Sequence, residues 1–121
     1  TDEMPAFYSR HSGINILPVD TIDEIVKIYH SMDSIGIESG LLVFNPIPEE
    51  YEIPADLVKD WVDRAEEDLG KNNISGKEVT PFLLQKLAEY SNGRSIESNK
   101  MLLENNVLLG CKILKLMPKY V

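Results

Sequence analysis

Three asparagines are the residues whose type and spacing best suit the binding of a polar ligand. Asn99 and Asn106 lie seven residues apart in and around the stretch NGRSIESNKMLLENN, residues 92–106. At about 100° per residue, their side chains fall on one helical stripe with apolar neighbours. The other members of that stripe are Ile96, Leu103, Val107, Gly110 and Leu114. Because burying an unbonded carboxamide costs about 1–3 kcal/mol, we expect both amides to be hydrogen-bonded.

The hydrogen-bond partner expected for each amide depends on the position of that amide along the helix. Asn99 lies near the predicted helix N-terminus, where the helix dipole favours an anion or a sugar. A structural bond to nearby backbone or to another amide is the alternative, and it is favoured for Asn106, two turns deeper. The third residue, Asn45, follows the apolar run LLVF and precedes a proline. Ligands of α/β proteins bind beyond the carboxyl ends of strands, although an Asn-Pro turn also explains this residue.

Other reactive constellations do not occur in the sequence. His11 and His30 are the only histidines, and neither has a second ligand at zinc spacing. The acidic pair Glu49–Glu50 and the acidic run at residues 66–68 fit a solvated surface better than an acid/base pair. No glycine-rich phosphate loop joins a strand to a helix. The candidate substrate-binding residues are Asn99 and Asn45, with their structural alternatives open, and the residues themselves show no evident catalytic pair or metal-ligand set in this chain.

Composition restricts the class of partner. The chain has 121 residues and a formal net charge of −8, without any cluster of lysine and arginine, so we expect no nucleic-acid partner. No apolar run is long enough to cross a bilayer, and no secretory signal is visible. The single cysteine, Cys111, allows no intrachain disulfide. We therefore expect a cytoplasmic protein, and the first residue, Thr1, suggests a chain that begins in mid-protein.

The pattern of apolar residues predicts two strands and four helices. The strands are residues 12–19, at a sheet edge because of Pro18, and residues 41–44, buried on both faces. The helices begin at a Thr21–Glu24 capping box, at Pro54, at Thr80 as N-cap with Pro81 in the first turn, and at Ser95 as cap after Gly93. The first helix ends at Gly36 and the last near Met117. Two strands are too few for a complete sheet, so the pattern indicates one side of a larger α/β sandwich.

Four segments together resemble a known family. They are PAFYSR (5–10), LLVFNPIPEE (41–50), GKEVTPFLLQKLAE (76–89) and NGRSIESNKMLLENN (92–106). In this order they are similar to the C-terminal part of pseudouridine-5′-phosphate glycosidases, which are also called indigoidine synthase A-like proteins. The resemblance extends over nearly the whole chain.

The resemblance implies a three-layer α/β/α sandwich with a mixed central sheet, assembled as a homotrimer. It implies reversible cleavage of the C–C glycosidic bond of pseudouridine 5′-phosphate to uracil and ribose 5-phosphate. In that reaction a lysine forms an imine with the opened sugar, a glutamate transfers protons, and an aspartate holds a divalent metal, typically manganese. All three positions belong to the N-terminal portion of the family, outside this sequence. The one substrate-site residue carried over is Asn99, in the SxxSN motif.

Residues 1–121 are therefore expected to form a single unit, the helix-rich C-terminal portion of a larger glycosidase domain. Alone it would be inactive, and it would associate with the N-terminal portion or as a homotrimer. The alternative is a non-catalytic acidic protein-interaction module derived from the same scaffold.

Overall fold

Four helices make up most of the chain that the structure describes. The computed structural model describes residues 2–120, with side chains as far as residue 118. The helices are α1 (Ile22–Ser34), α2 (Ala55–Lys71), α3 (Val79–Tyr90) and α4 (Arg94–Leu116), with short 3-10 turns at Glu49–Tyr51, Gly76–Glu78 and Met117–Tyr120. The described part of the chain contains no β-strand, only an isolated antiparallel bridge between Glu3 and Asn15. The predicted helix dominance is thus confirmed, and residues 2–120 form no sheet.

Both strand predictions are wrong for this chain. Residues 41–44 are not in a strand, and among the described residues no backbone group of residues 40–45 makes a hydrogen bond. Among the described residues, the backbone of residues 12–19 pairs with the N-terminal backbone only at the Glu3–Asn15 bridge, through the bonds Met4 N–H to Ile14 O and Ile16 N–H to Asp2 O. The Ser12 and Gly13 N–H groups donate to the Glu3 carboxylate, each at 3.1 Å. A strand requires a neighbour that supplies a ladder of hydrogen bonds. The described part of the chain supplies no such neighbour to residues 41–44.

Helix α1 begins and ends as predicted. The Thr21 hydroxyl accepts from the Glu24 N–H at 3.3 Å, and the Glu24 carboxylate accepts from the Thr21 N–H at 3.1 Å, which completes the capping box. At the other end, Gly36 adopts φ +73°. This left-handed conformation lets the Ile37 N–H donate to Met32 O at 2.9 Å, so a free carbonyl of the last turn is satisfied.

The predicted caps of the last two helices are wrong. Helix α3 begins at Val79, because the 3-10 turn Gly76–Glu78 continues directly into it, and Thr80 therefore lies inside the helix. The N-cap of α4 is Gly93, with φ +82°. Ser95 is buried in the first turn of α4, and its N–H donates to the Ser91 hydroxyl at 3.0 Å. An upstream serine thus does the capping expected of Ser95 itself.

One closed hydrophobic core lies between the N-terminal segment, α2 and α3. We call it the Ile53 core, after a residue that is 0% exposed. Its buried members are Tyr8, Ile53, Trp61, Ala65 and Leu87. Partly buried apolar side chains surround these, namely Val58, Val62, Leu83 and Tyr90. The apolar face predicted for α2 therefore packs inside the chain, as its helical spacing indicates.

The apolar stripe predicted to bury α4 faces outward. Ile96, Leu103, Val107 and Leu114 are 51%, 57%, 65% and 67% exposed. The inward side is instead a set of positions one residue earlier, about 100° around the helix. This inward side consists of buried or half-buried Ser95, Ser98, Leu102, Asn105, Leu109 and Ile113. Both the inward side and the outward stripe of α4 thus carry apolar residues, and only the inward side is covered within the part of the chain that the structure describes.

Candidate functional site

An open groove lies beside the unpaired segment at residues 41–44. We call it the Leu41 groove, and its volume is about 500 Å³. Helix α1 forms one wall through Ile22, Ile25 and Ile28, and Leu109 of α4 contributes to its lining. The side chains of residues 41–44 are exposed, Leu42 to 76%. The groove is therefore an apolar surface without a cover, and Asn45 lies on its lining.

Asn45 and Asn106 are brought together by the fold. The Asn45 Nδ2 donates to Asn106 Oδ1 at 3.1 Å, although 61 residues separate the two in the sequence. Beside this bond, Asn105 Nδ2 donates to the Pro46 carbonyl at 3.1 Å. Two successive asparagines of α4 thus hold the end of the LLVF segment. Asn106 bonds another amide, as expected for the structural role favoured for it. That amide belongs to Asn45, which is itself a candidate substrate-binding residue.

Asn99 lies apart from this pair. Seven residues of helix separate it from Asn106, which corresponds to about 10 Å along the axis. It is half-buried, and its carboxamide makes no hydrogen bond among the described residues. Both amides lie at the border between the inward side of α4 and its exposed apolar stripe. Asn99 therefore keeps its hydrogen-bonding groups available to a ligand, and its predicted role in substrate binding stays a prediction.

The serines of the SxxSN motif face the inside of the chain. Ser95 and Ser98 are both buried, and Ser98 is only 1% exposed. The Ser98 hydroxyl has no hydrogen-bond partner in the described part of the chain. Small side chains on this side allow the start of α4 to pack closely on its neighbours. The motif therefore places Asn99 at the edge of a tightly packed helix end.

Hydrogen bonds to Glu52 join three parts of the chain near the start of α4. Glu52 Oε1 accepts from the Ser9 hydroxyl at 2.9 Å and from the Arg10 N–H at 2.8 Å. The bond from the Arg10 backbone, with further help from Ser9, lowers the pKa of Glu52 despite partial desolvation. The Glu52 carbonyl accepts from Arg94 Nη2 at 2.9 Å. The PAFYSR segment, residues 47–53 and the first turn of α4 are thereby joined.

Two residues in this arrangement have no role predicted from the sequence. Asn105 holds the Pro46 carbonyl. Arg10, which belongs to the PAFYSR segment, donates through its Nη1 to the Ile47 carbonyl at 2.8 Å. The doubled asparagine at 105–106 was the available signal for the first. Nothing in the sequence indicated the second, because its partner is a backbone carbonyl 37 residues away.

The metal implied by the family resemblance has no fitting ligand set in the part of the chain that the structure describes. No group of three or more histidine, cysteine, aspartate or glutamate side chains converges there in a way that would hold a metal ion. We therefore derive no chemical step through a metal from these residues. None of the described helices is both long enough and apolar enough to cross a membrane.

The architecture defines a class of protein: a helix-rich unit in which a segment without regular secondary structure, residues 41–44, lies beside an asparagine-bearing helix. A family model described as indigoidine synthase A like protein matches residues 1–115. The chain belongs to this family.

Relatives of known name extend the comparison. A pseudouridine-5′-phosphate glycosidase of Thermotoga petrophila is 48% identical over 113 residues, which are 93% of this chain and 38% of that protein. One from Pseudothermotoga lettingae is 43% identical over 119 residues, which are 98% of this chain and 42% of that protein. The chain thus spans about two fifths of the length of these relatives.

Solved structures agree with the fold. An indigoidine synthase A-like protein from Thermotoga maritima superposes with a TM-score of 0.79 at 44% identity, covering 97% of this chain and 39% of that one. The prealnumycin C-glycosynthase AlnA, solved in complex with ribulose 5-phosphate, superposes with a TM-score of 0.81 at 22% identity. That match covers 91% of this chain and 37% of AlnA. At this identity the second likeness concerns the fold alone.

Proposed function

We propose that this chain is the C-terminal portion of a pseudouridine-5′-phosphate glycosidase. The complete polypeptide would reversibly cleave the C–C glycosidic bond of pseudouridine 5′-phosphate to uracil and ribose 5-phosphate. The observation that carries the proposal is the match of 93% of this chain to a relative of that name at 48% identity. The four motifs of the sequence lie within the matched family region, residues 1–115.

The exposed apolar surface supports the proposal of a larger domain. The backbone of residues 40–45 lacks hydrogen bonds within the described chain, and the side chains of residues 41–44 lie open beside the Leu41 groove. A strand from the remaining portion would supply the missing backbone hydrogen bonds and cover the exposed side chains, since a sheet pairs backbone groups and buries side chains at once. We infer that residues 41–44 become a strand of the mixed sheet in a three-layer α/β/α sandwich. The outward stripe of α4 would be covered in the same assembly.

The chemistry would be divided between the two portions. We assign the imine-forming lysine, the proton-transferring glutamate and the manganese-holding aspartate to the N-terminal portion. This chain would supply Asn99 and Asn45 to bind the substrate, and the cytoplasmic enzyme would act as a homotrimer. In a structure with a bound sugar phosphate, Asn45 should lie at the cleft. A separation of more than about 10 Å between its side chain and the ligand would leave Asn45 with a turn role only.

The test is reconstitution of activity from parts. The present chain, an N-terminal portion taken from a relative, their mixture, and a polypeptide joining the two are each assayed for release of uracil from pseudouridine 5′-phosphate. We expect cleavage by the joined polypeptide and none by the present chain alone. A joined polypeptide that folds but releases no uracil would contradict the proposal. It would favour the alternative, a non-catalytic acidic interaction module, for which the exposed apolar groove is the supporting observation.

A further inference from the structure

Two hydrogen bonds between α4 and the end of the LLVF segment hold different parts of that segment. Asn105 Nδ2 donates to the Pro46 carbonyl at 3.1 Å and so holds the backbone. Asn106 Oδ1 accepts from Asn45 Nδ2 at 3.1 Å and so holds a side chain. Successive helical residues point about 100° apart, so the two asparagines approach the segment from different directions. Backbone placement and side-chain orientation therefore depend on separate residues.

The hydrogen bond between the Asn45 and Asn106 side chains is exposed, so it contributes less to stability than a buried bond does. Asn106 is exposed and Asn45 half-buried, so water competes for every hydrogen bond that the pair makes. The bond instead favours one rotamer of Asn45 over the others. The donor used is Nδ2, so Asn45 Oδ1 is left without a hydrogen-bond partner among the described residues. Oδ1 is an acceptor with two lone pairs.

We propose that Asn106 is a positioning residue that orients the Asn45 carboxamide, so that Asn45 Oδ1 accepts a hydrogen bond from an N–H or O–H group of the substrate. This role rests on the proposed function, because it concerns the substrate of that reaction. Asn106 itself does not touch the reacting atoms. Its contribution is to reduce the rotamer freedom that Asn45 would lose on binding, which is a gain from preorganisation.

The geometry determines which substitutions preserve the role. Asn106 acts through an accepting oxygen, so Asn106→Asp keeps the acceptor for Asn45 Nδ2. Asn106→Leu has a similar volume and removes it. Both variants are made in the complete polypeptide that carries this chain as its C-terminal portion, and kcat, KM and melting temperature are measured with pseudouridine 5′-phosphate. We expect kcat/KM to fall about tenfold in Asn106→Leu and to stay within about threefold of wild type in Asn106→Asp, with little change in melting temperature.

A double-mutant cycle separates positioning from a merely structural effect. If Asn106 acts through Asn45, then Asn106→Leu should have no further effect on kcat/KM once Asn45→Ala is present. Asn105→Leu is the matched control. It removes the hydrogen bond to the Pro46 carbonyl and, unlike Asn106→Leu, is expected to lower the melting temperature.

The outcomes distinguish this inference from the proposed function. Wild-type kcat/KM in Asn106→Leu, an equal loss in Asn106→Asp, or full additivity with Asn45→Ala would each overturn the positioning role while leaving the glycosidase activity in place. A wild-type polypeptide that cleaves no pseudouridine 5′-phosphate overturns the proposed function, and the positioning role with it.

Discussion

The Ile53 core and the Leu41 groove are both apolar, yet one is closed and the other is open. Ile53 is 0% exposed, and its N–H donates to the Tyr8 carbonyl at 2.9 Å. Leu42, in the apolar run at residues 41–44, is 76% exposed and lies in backbone without hydrogen bonds among the described residues. The difference is the presence of a partner within the chain. A hydrophobic segment is buried only when something else supplies both the covering surface and the backbone bonds.

The largest expected effect comes from placing a charge in the groove. In the isolated chain, Leu42→Asp should leave the melting temperature almost unchanged and reduce self-association, because exposed apolar patches drive association. In the complete polypeptide the same substitution would bury an unpaired charge, at a cost of about 3–5 kcal/mol. Sedimentation and thermal unfolding of both forms measure the contrast.

Ile35 offers a control for that contrast. It is 72% exposed and is not among the residues that line the groove, so Ile35→Asp should change little in either form. A wild-type isolated chain that sediments as a monomer with a sharp thermal transition would count against an uncovered groove.

Truncation in the closed core should behave differently. Ile53→Ala is expected to destabilise the isolated chain and the complete polypeptide alike, by about 2–5 kcal/mol, because the cavity arises within this chain in both forms. Chemical denaturation gives the two values. A cost that appears only in the complete polypeptide would show that the Ile53 core also depends on the remaining portion.

Substitution of Asn99, which lies between the inward side of α4 and its exposed apolar stripe, tests the predicted role of this residue in substrate binding. In the complete polypeptide, Asn99→Ala should lower turnover of pseudouridine 5′-phosphate about tenfold, equivalent to about 1.4 kcal/mol, because one substrate hydrogen bond is lost. Stability should change little, since the carboxamide has no hydrogen bond among the described residues. Asn99→Asp, which alters the donor but keeps the size, is assayed alongside. Unchanged activity with a lower melting temperature would make Asn99 a structural amide.

The smallest effect is the pH dependence contributed by Glu52. Its pKa in the folded state lies below the ordinary value of 4.5, because Arg10 and Ser9 donate to the ionised form. Its stabilisation is therefore complete above pH 4.5 and is lost as the pH falls through the lowered pKa. We expect the melting temperature of wild type to fall more steeply between pH 5 and pH 3, about the range of carboxylate titration, than that of Glu52→Gln.

Glu50→Gln is the control for this measurement, because Glu50 is exposed and its side chain makes no hydrogen bond among the described residues. Parallel pH profiles for wild type and Glu52→Gln would show that the Glu52 contacts do not contribute to stability.

Local signals in the sequence were sufficient for some elements and misleading for others. The Thr21–Glu24 box and Gly36 predicted α1 correctly, because both act within a turn or two of chain. The Thr80 cap failed because the preceding turn was already helical. The stripe through Asn99 and Asn106 was a true apolar stripe, but the fold buries the adjacent side of α4. Periodicity identifies an amphipathic face without saying which other element covers it.

The sequence by itself determined the family, the four helices and the three asparagines worth testing. Only the tertiary structure decided that Asn45 bonds Asn106, that Asn105 holds Pro46, and that Asn99 is left without a partner in the described chain. It also decided that residues 41–44 do not form a strand here. The reason is the same in each case: helices and their caps depend on neighbours within a few residues, whereas contacts such as the one across 61 residues depend on which surfaces the whole fold brings together.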